Sequence, residues 1–547
     1  MKNHLIDRII PNELPDVSAL EKRYPPRSGH PTVTRFAPSP TGFLHLGGIY
    51  SALISSSVAR QAGGVFLLRI EDTDKLREVP GAVALLGSTL KKFGLEWAEG
   101  ETLDGGEIGS YGPYRQGLRK ALYHGYARDL MRKGLAYPCF ATRDELDAIS
   151  ESQRQAGLNP GYYGRWATWR DRAESDVDKA LDSGADYVIR FRSHGDENAR
   201  ISFKDVIRGQ LELPQNCQDV VLLKADGLPT YHFAHVVDDH LMRTTHVIRG
   251  DEWLSSVPLH LALFEAIDAA VPFYGHIAPL QVQDGDSRRK LSKRKDVTAD
   301  ARFYLAAGFP ADAVKAYLLT VATSRFEGWR KANKTISLDD FPLSLKDLGA
   351  SGALLDLEKL ESISKSYFVE QPIDRLVAEG LGWAADYDNE LYALWQHDPG
   401  YLTAVLATQR ANPSRPRKDL GKWSDFRPAL GFFYDSLFER DADIEEEMNE
   451  LLGCVPVLAA IGTIIERLQS VSDAAGFTAM LRDAAEAHGL NQSRPSVVGS
   501  PSVHISALYS SLKFLLCGKR DSMDLWVLIS TMGLGRAISR LNAPQVI

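Results

Sequence analysis

The sequence predicts an α/β protein in two parts: an open sheet domain interrupted by an α+β insertion, then an all-helical C-terminal half. Short apolar runs at 33–36 and 65–70, bounded by glycine, proline or polar residues, predict strands near the N-terminus. From residue 370 to 547 apolar side chains recur at helical spacing, without alternating runs of useful length. The 547 residues are enough for more than one core.

The composition narrows the classes of function. Hydrophobic residues make up 44% and charged residues 24%, as in soluble globular proteins. The net charge of −8 argues against coating nucleic acid indiscriminately, although local basic patches leave an RNA partner open. The four cysteines are far apart and include no CxxC pair, so no disulfide framework is indicated. Without a signal-peptide core or an apolar run of roughly 20 residues, we expect a cytoplasmic protein with no membrane partner.

The first strand leads into a turn and a helix. Pro38 and Pro40 exclude regular structure, Gly42 permits a tight turn, and a helix opens within residues 44–48. Backbone N–H groups at such a helix N-terminus can approach phosphate oxygens. His45 could donate to a phosphate that carries developing charge. The alternative is a structural corner with a satisfied histidine.

The next elements follow in order. The strand at 65–70 delivers Glu71 and its polar neighbours to a carboxyl end, where ligands of open α/β sheets bind; a capped helix start is the alternative. Residues from about 80 to 135 read as helical, with one helix opening at 114–116. Residues 1–31, rich in proline, form an extension that packs on the surface or is loose.

Residues 136–215 have the texture of a mixed α+β insertion, with short strands at 187–191 and 201–203. Cys139 is followed by Ala141 instead of the second cysteine of a Cys-x-Cys pair. A single thiolate ligand cannot make a tetrahedral zinc site, so we predict no zinc. The second half of the sheet domain opens with a strand at 219–224 and has another at 245–249. His232, His235, His240 and His246 lack the spacing of a metal-binding helix, and no metal is predicted.

A basic run at 288–295 holds six basic residues in eight. Within it, Lys290 and Lys293 stand three apart on a loop that could close over a triphosphate as pyrophosphate leaves. The alternative is a solvated loop or an unspecific RNA patch.

These motifs together resemble a known family. The pattern Pro-x-Pro-x-Gly-x-Leu-His-x-Gly at 38–47 resembles the HIGH signature of class I aminoacyl-tRNA synthetases, with Gly48 in its fourth position. The flanking Arg35-Phe-Ala-Pro-Ser-Pro-Thr-Gly42 is similar to the glutamyl/glutaminyl branch, and Lys290-Leu-Ser-Lys-Arg294 resembles the KMSKS signature. The helical tail favours bacterial-type glutamyl-tRNA synthetases, because glutaminyl enzymes carry β-barrels there.

The resemblance implies an architecture. Residues 32–135 and 216–295 would form the two halves of a Rossmann-like catalytic domain, split by an acceptor-end-binding insertion at 136–215. Residues 296–369 would form a helical stem-contact domain and 370–547 helical anticodon-binding domains, after the N-terminal extension at 1–31.

It also implies an activity: ATP-dependent formation of glutamyl-adenylate from L-glutamate, then transfer of glutamate to the 3′ end of tRNA-Glu. Mg²⁺ would accompany the triphosphate, and a monomer is expected. Charging of tRNA-Gln as well stays open. The alternatives are a glutaminyl-tRNA synthetase, a catalytically silent tRNA-binding relative, and a nucleotidylyltransferase, whose chains are usually shorter.

The candidate site residues fall into four groups. Two arginines at the ends of different predicted strands suit the two carboxylates of glutamate. The catalytic candidates are His45, Lys290 and Lys293. The ATP-binding candidates are His45, Gly47, Gly48, Gly250, Asp251, Glu252 and Lys293. The glutamate-binding candidates are Arg35, Ala37, Ser39, Glu71, Tyr231, His235 and Arg249. The anticodon-contact candidates are Arg415 and Arg417.

Overall fold

The computed structural model describes residues 1–75, 77–491, 503–520 and 522–542. The chain divides into two compact units. The first comprises Met1–Tyr304 with Lys315–Asp356, and the second comprises Leu305–Val314 with Leu357–Ile547.

The strands all lie in the first unit. In chain order they are β1 (Val33–Phe36), β2 (Val65–Leu68), β3 (Glu99–Glu101), β4 (Glu107–Ile108), β5 (Ala136–Cys139), β6 (Val188–Phe191), β7 (Arg200–Asp205), β8 (Gly209–Pro214), β9 (Val221–Leu223), β10 (His246–Gly250), β11 (Phe273–Ile277), β12 (Leu280–Asp284), β13 (Ser287–Lys290) and β14 (Ala353–Leu354). Described residues after β14 form no further strand, so the predicted change to helical texture is confirmed.

The α-helices occur in both units. Up to residue 332 they are α1 (Asn3–Ile9), α2 (Val17–Arg23), α3 (Leu46–Gln61), α4 (Ala82–Lys92), α5 (Lys120–Arg132), α6 (Arg143–Gln155), α7 (Glu174–Asp182), α8 (Tyr231–Leu241), α9 (Val257–Ala266), α10 (Ala301–Ala307), α11 (Ala311–Ala322) and α12 (Arg325–Ala332). They continue with α13 (Leu357–Glu370), α14 (Ile373–Tyr387), α15 (Asn389–His397), α16 (Pro399–Ala407), α17 (Phe426–Leu430), α18 (Glu445–Leu452), α19 (Val455–Arg467), α20 (Ala474–Ala487), α21 (Ile505–Cys517), α22 (Leu525–Met532) and α23 (Leu534–Leu541).

A six-stranded sheet in the order β11-β10-β1-β2-β3-β4 forms the centre of the first unit. All pairs are parallel except β3–β4 at one edge. The strand order runs in opposite directions on the two sides of β1, so a topological switch point lies between β1 and β10. Ligands of open α/β sheets bind in the crevice at such a point. The predicted fold class, a Rossmann-like sheet domain followed by a helical half, is confirmed.

The span predicted as helical from about 80 to 135 is only partly so. Helices α4 and α5 are present, but β3 and β4 lie between them and extend the central sheet. The sequence of β3 is Glu-Gly-Glu, which has neither apolar alternation nor β-branched residues. Its strand conformation is imposed by parallel pairing with β2, a tertiary contact that local propensity does not reveal.

The insertion contains two small antiparallel sheets, β5-β6-β9 and the hairpin β7-β8. The strand predicted at 219–224 exists as β9, but it pairs with β6 in the insertion and does not join the central sheet. The apolar pattern of this three-residue strand is compatible with the central sheet as well as with the sheet of the insertion. The pairing of Leu223 with Ile189 places it in the insertion's sheet.

The N-terminal extension is an integral part of the first unit. Helix α1 buries Ile6 and Ile9 and helix α2 buries Leu20, all in one core with residues of α5. Of the two possibilities for residues 1–31, packing on the folded domain is therefore the one realised. Arg8 also pairs with Asp182 of α7 at 2.7 Å, which ties α1 to the insertion.

The second unit is a helical assembly around an aromatic core. Trp395, Trp423 and Phe426 are almost fully buried and meet edge to face. In the first unit, β14 pairs in parallel with β12. Within the described residues, no single helix is long and apolar enough to cross a membrane; only α18 with the helical stretch from 455 to 470 reaches that length, with an 80° bend between them.

Candidate active site

A cavity of about 630 Å³ opens at the carboxyl ends of the central strands, by the switch point. Most of the residues predicted for ATP and glutamate line it. They are Arg35, Ala37, Ser39, His45, Gly47, Gly48, Glu71, Tyr231, Arg249, Gly250, Glu252, Lys290 and Lys293. Segments more than two hundred residues apart thus meet at one cleft, because β1 and β10 are sheet neighbours.

His45 is the N-cap residue of α3. Its Nδ1 accepts a hydrogen bond from the backbone N–H of Gly47 at 2.9 Å, so the proton of the neutral ring lies on Nε2. Burial, and then the charge of Lys293, hold the pKa of His45 below its ordinary value. The ring is therefore a neutral donor beside the positive end of a helix dipole, which is an arrangement suited to phosphate oxygens.

Gly48 occupies the fourth position of the HIGH-like motif for a steric reason. A Cβ on Gly48 would lie 2.8 Å from Leu44 Cδ1 and 3.3 Å from Phe36 Cζ. A larger residue would have to displace Leu44, which is buried. The missing side chain leaves the first turn of α3 open toward the cavity.

The two lysines of the KMSKS-like loop lie on the cavity wall. Lys290 Nζ pairs with Glu252 Oε1 at 3.1 Å, and Lys293 Nζ donates to the carbonyl oxygen of Phe43 at 2.9 Å. The contact to Phe43 brings Lys293 to the turn that precedes α3, on the same side as His45.

Asp296 holds this loop in shape, and sequence reasoning missed it. Its carboxylate accepts two hydrogen bonds from Arg289, at 2.6 and 2.7 Å, and one from the backbone N–H of Ser292 at 2.8 Å. Leu291 is buried beneath the loop. The conformation of the loop that carries the two lysines is thus stabilised by the hydrogen bonds of Asp296 and by the burial of Leu291.

Arg35 and Glu71 share a buried charge network. Asp239 lies 3.3 Å from Arg35 Nε and accepts from Arg69 Nη1 at 2.6 Å, while Glu71 accepts from Arg69 Nη2 at 3.2 Å. Burial alone would raise the pKa of Asp239, but Arg69 and Arg35 outweigh it and hold that pKa far below its usual range. Arg35 is therefore only partly neutralised, and Glu71 presents its carboxyl group on the cavity wall.

Arg249 is the second arginine of the cavity, and its partners are all neutral. Its Nε donates to His276 Nε2 at 3.1 Å, its Nη2 lies 3.2 Å from His260 Nδ1 and 3.4 Å from the carbonyl oxygen of Trp253, and its Nη1 is 3.5 Å from Tyr231 Oη. Burial lowers the pKa of both imidazoles, so neither adds charge. Among the described residues, no carboxylate lies within ion-pair distance of this guanidinium, which is 6% exposed.

Two predicted residues are not on the cavity wall. His235 is completely buried behind Tyr231, with Nδ1 2.8 Å from Asp239 Oδ2 and Nε2 2.9 Å from Tyr274 Oη. His235 therefore lies behind the cavity wall, against the carboxylate that pairs with Arg35, and its direct contact with the amino acid stays a prediction. Asp251 is turned to Arg208 of the insertion, at 2.8 Å, and does not line the cavity either.

The cavity also contains residues that were not predicted. Thr73, Asp74 and Arg77 reach it from the segment after β2, and Trp253 stacks on Tyr231 with ring centroids 4.2 Å apart. Trp253 directly follows Gly250, Asp251 and Glu252, which are predicted to bind ATP, so its place beside that run is the signal that could have found it.

The histidines around this site do not form one group. His232 contacts His260 at 3.0 Å, while His240 Nε2 lies against Glu21 and His246 against Thr245. The part of the chain that the structure describes has no set of three or more His, Cys, Asp or Glu side chains placed to hold a metal ion.

The anticodon candidates lie in the second unit. Arg415 is exposed, whereas Arg417 is half-buried and donates to Asp419 Oδ2 at 2.7 Å. Their charges therefore differ in availability, since only Arg417 has a carboxylate partner among the described residues.

A parallel sheet with a HIGH-like helix start and a KMSKS-like loop on one cavity defines a class I tRNA synthetase, and comparison with known proteins agrees. Residues 31–339 match the family described as "tRNA synthetases class I (E and Q), catalytic domain". The chain belongs to this family.

Its relatives identify the branch. The glutamate–tRNA ligase of Sorangium cellulosum is 40% identical over 560 residues, which cover 95% of this chain and 96% of that protein. The glutamate–tRNA ligase of Acetivibrio thermocellus is 38% identical over 549 residues and 98% of each chain. A crystal structure of a glutamate tRNA ligase from Elizabethkingia meningosepticum, in complex with its amino acid, superposes with a TM-score of 0.73 at 27% identity, covering 93% of this chain and 98% of that one. The predicted resemblance to the glutamyl branch is confirmed.

Proposed function

We propose that this chain is a glutamate–tRNA ligase that joins L-glutamate to tRNA in two steps. In the first, an α-carboxylate oxygen of glutamate attacks the α-phosphorus of ATP, a new P–O bond forms, and pyrophosphate leaves. In the second, a ribose hydroxyl of the terminal adenosine of tRNA attacks the acyl carbon of the adenylate, and AMP leaves. The chain's near full-length similarity to glutamate–tRNA ligases supports this assignment.

The observation that carries the choice of substrate is the uncompensated charge of Arg249. A buried guanidinium with only neutral partners bears a desolvation cost, which a bound carboxylate would offset. The planar guanidinium can bind such a carboxylate through two parallel hydrogen bonds. We assign Arg249 to one carboxylate of glutamate and Arg35 to the other. Glu71 would take the ammonium group, with Ser39 and Tyr231 adding hydrogen bonds and Ala37 backbone contact.

This assignment disfavours the glutaminyl alternative. With the side-chain carboxylate of glutamate assigned to Arg249, a neutral amide in its place would leave the charge of Arg249 uncompensated in a buried site. An arginine that is positioned for a carboxylate therefore discriminates against glutamine, because the complex with glutamine would contain a buried, unpaired charge.

ATP would occupy the part of the cavity at the start of α3. The Nε2–H of His45 would face the phosphates, and Gly47 and Gly48, which have no side chains, would leave room for them at the first turn of α3. Gly250 and Glu252 would lie by the ribose, while Asp251 would act through its pairing with Arg208. Lys293 and Lys290 would exchange their present partners for phosphate oxygens and neutralise the leaving pyrophosphate.

Mg²⁺ would enter with the nucleotide. Two carboxylates of the cavity pair with arginines, Glu71 with Arg69 and Asp74 with Arg77, and Glu252 is assigned to the ribose. The residues present thus fit an ion that is held mainly by phosphate oxygens and supplies further charge neutralisation there.

We further propose a division of labour along the chain. Residues 32–135 and 216–295 would activate glutamate, 136–215 would hold the acceptor end, 296–369 would contact the stem, and 370–547 would read the anticodon. Arg415 and Arg417 are candidates for that last contact. The extension 1–31 would serve the folded domain, because its apolar side chains lie in the same core.

The test is glutamate-dependent ATP–pyrophosphate exchange with the purified protein, with and without tRNA-Glu and with glutamine as the control amino acid. We expect exchange with glutamate and tRNA-Glu together, and none with glutamine. Exchange that prefers glutamine would replace the proposal with the glutaminyl alternative. No exchange in any combination, despite tRNA binding, would indicate a catalytically silent relative.

A further inference from the structure

The insertion reaches the neighbourhood of the cavity through the turn between β7 and β8, residues 205–208. The backbone N–H of Val206 donates to the carbonyl oxygen of Tyr274 on β11 at 2.8 Å. A Cβ on Gly275 would lie 3.0 Å from Val206 Cγ2 and 3.1 Å from Ile207 Cδ1, so the turn is packed closely against this strand. The insertion is therefore fixed to β11, next to the strand that carries Arg249.

Asp205 occupies the first position of this turn and is 1% exposed. Its Oδ1 accepts from the backbone N–H groups of Ile207 and Arg208 at 2.8 and 2.9 Å, as in an Asx turn. Its Oδ2 lies 2.6 Å from His276 Nδ1 and accepts from the His276 backbone N–H at 3.1 Å. The carboxylate thus has a second function beyond the turn, which is to hold an imidazole.

The direction of these hydrogen bonds follows from Arg249. A guanidinium only donates, so His276 Nε2 must be the unprotonated nitrogen that accepts from Arg249 Nε at 3.1 Å. The ring proton then lies on Nδ1 and is donated to Asp205. Carboxylate, imidazole and guanidinium form one line of charge-assisted hydrogen bonds from the insertion to the cavity.

We propose that Asp205 and His276 are positioning residues that orient Arg249 for the carboxylate of the amino-acid substrate. The insertion, through one buried turn, thereby takes part in amino-acid binding as well as in its expected contact with RNA. This inference rests on the proposed function, since it assigns Arg249 to a substrate carboxylate.

The line depends on the charge of Asp205 for a specific reason. An asparagine at 205 can still accept the two backbone hydrogen bonds of the turn through its carbonyl oxygen. Its amide, however, stands where Oδ2 was: it no longer accepts from the His276 backbone N–H, and it can donate to His276 Nδ1, which would move the ring proton to Nε2 and set two donors against each other at Arg249. The fold of the turn and the orientation of the arginine can therefore be separated.

The test is Asp205→Asn in the full-length protein, measured by ATP–pyrophosphate exchange with saturating tRNA-Glu. We expect the KM for glutamate to rise roughly tenfold or more, the scale on which loss of a supporting hydrogen-bond partner acts, while the KM for ATP stays unchanged. His276→Gln, which keeps an acceptor for Arg249, should raise the glutamate KM less than His276→Leu.

Asp219→Asn is the matched control. Asp219 is another fully buried carboxylate, and its partners belong to the insertion; its Oδ1 accepts from the Ser193 backbone N–H at 2.9 Å and its Oδ2 from Tyr137 Oη at 2.6 Å. It does not line the cavity, so its replacement should leave the glutamate KM unchanged. Equal rises in the two variants would show a general loosening of the insertion and overturn the proposal.

A readout without activity separates this inference from the proposed function. With arginine ¹⁵N-labelled, the Nε–H signal of Arg249, identified by its loss in Arg249→Lys, should be protected from solvent exchange and lose protection in Asp205→Asn. Unchanged protection, or an unchanged glutamate KM in folded Asp205→Asn, would refute the positioning role. Failure of the wild-type exchange reaction would instead refute the proposed function.

Discussion

Arg249 illustrates at the residue scale how binding and stability oppose each other. Its buried charge has no carboxylate partner among the described residues, so the empty site bears a desolvation cost that the substrate would relieve. We expect Arg249→Gln to lower kcat/KM for glutamate roughly 100-fold or more and to leave the KM for ATP unchanged. The same variant should unfold at an equal or higher temperature than the wild type in a thermal melt. A lower melting temperature would show that the guanidinium stabilises the fold.

His235 makes a prediction about acid stability. Burial, against the opposing pull of Asp239, lowers its pKa to about 3, whereas an unfolded chain has a histidine pKa of about 6.5. Between these values the unfolded state binds a proton that the folded state does not, so His235 lowers the free energy of unfolding as pH falls from about 6.5 toward 3. In His235→Asn this contribution is absent, and the free energy of unfolding, measured by urea titration, should fall less steeply between pH 6.5 and 4. Parallel pH profiles for the two proteins would contradict the assignment.

Single residues were predictable where a motif fixed them. His45, Lys290 and Lys293 stand in short patterns with their own chemistry, and Arg35 and Arg249 end strands that the apolar runs revealed. Asp239, His276 and Asp205 were not found, because each acts on a side chain far away in sequence. His235 was predicted to line the pocket with Tyr231, whereas it lies behind that ring, because neither helix α8 nor what packs behind it was predicted from the sequence.

The KMSKS-like loop supports a prediction at the scale of elements. Lys293 is held near the start of α3 by its bond to Phe43, so a small movement would bring its charge onto a bound triphosphate. Lys293→Ala should slow adenylate formation roughly 10²–10³-fold, the scale for losing one stabilising group of a transition state. The measurement is pre-steady-state adenylate formation with glutamate, ATP and tRNA. Lys295→Ala, in the same loop but outside the cavity wall, is the control; normal exchange in Lys293→Ala would refute the assignment.

The N-terminal helices α1 and α2 support a prediction about the stability of the first unit. Leu20 of α2 is 1% exposed and lies in the core that α5 shares. Leu20→Ala should cost about 2–5 kcal/mol in the free energy of unfolding, because it removes buried methyl groups and leaves a cavity. Urea unfolding, monitored by hydrogen exchange of the backbone amides of α5, would measure this loss of free energy. Leu118→Ala, at a side chain that is 67% exposed, should change the free energy by less than about 0.5 kcal/mol.

Elements were predicted well where their pattern was local. The start of α3, the strands β1 and β10, and the helical texture after residue 370 follow from turn residues and apolar periodicity. The strands β3 and β4 were missed and β9 was placed in the wrong sheet, because short strands take their conformation and partners from the sheet they join. The packing of α1 and α2 depends on an apolar surface of α5 that the extension's own sequence does not show.

For the whole molecule, the charge distribution sets how RNA can be bound. Because the net charge of the chain is −8, its overall electrostatic field does not attract RNA. Contacts to tRNA must therefore come from local cations that are not already paired with carboxylates. Many surface arginines of the described chain are paired with carboxylates, as Arg417 is with Asp419 and Arg427 with Asp388. The availability of each guanidinium, rather than the number of basic residues, should decide its contribution.

This argument orders the two anticodon candidates. Arg415 is exposed, whereas Arg417 would have to leave Asp419 before it could bind a phosphate. We expect Arg415→Ala to raise the KM for tRNA-Glu severalfold and to reduce by about one the slope of log affinity against log salt, as loss of one phosphate contact does. Arg417→Ala should have the smaller effect on both, and neither should change the KM for ATP. Filter binding of tRNA-Glu across a salt series measures the slopes. A larger loss in Arg417→Ala would mean that the ion pair with Asp419 orients the guanidinium for RNA instead of occupying it, and that the second unit recognises tRNA by geometry more than by free charge.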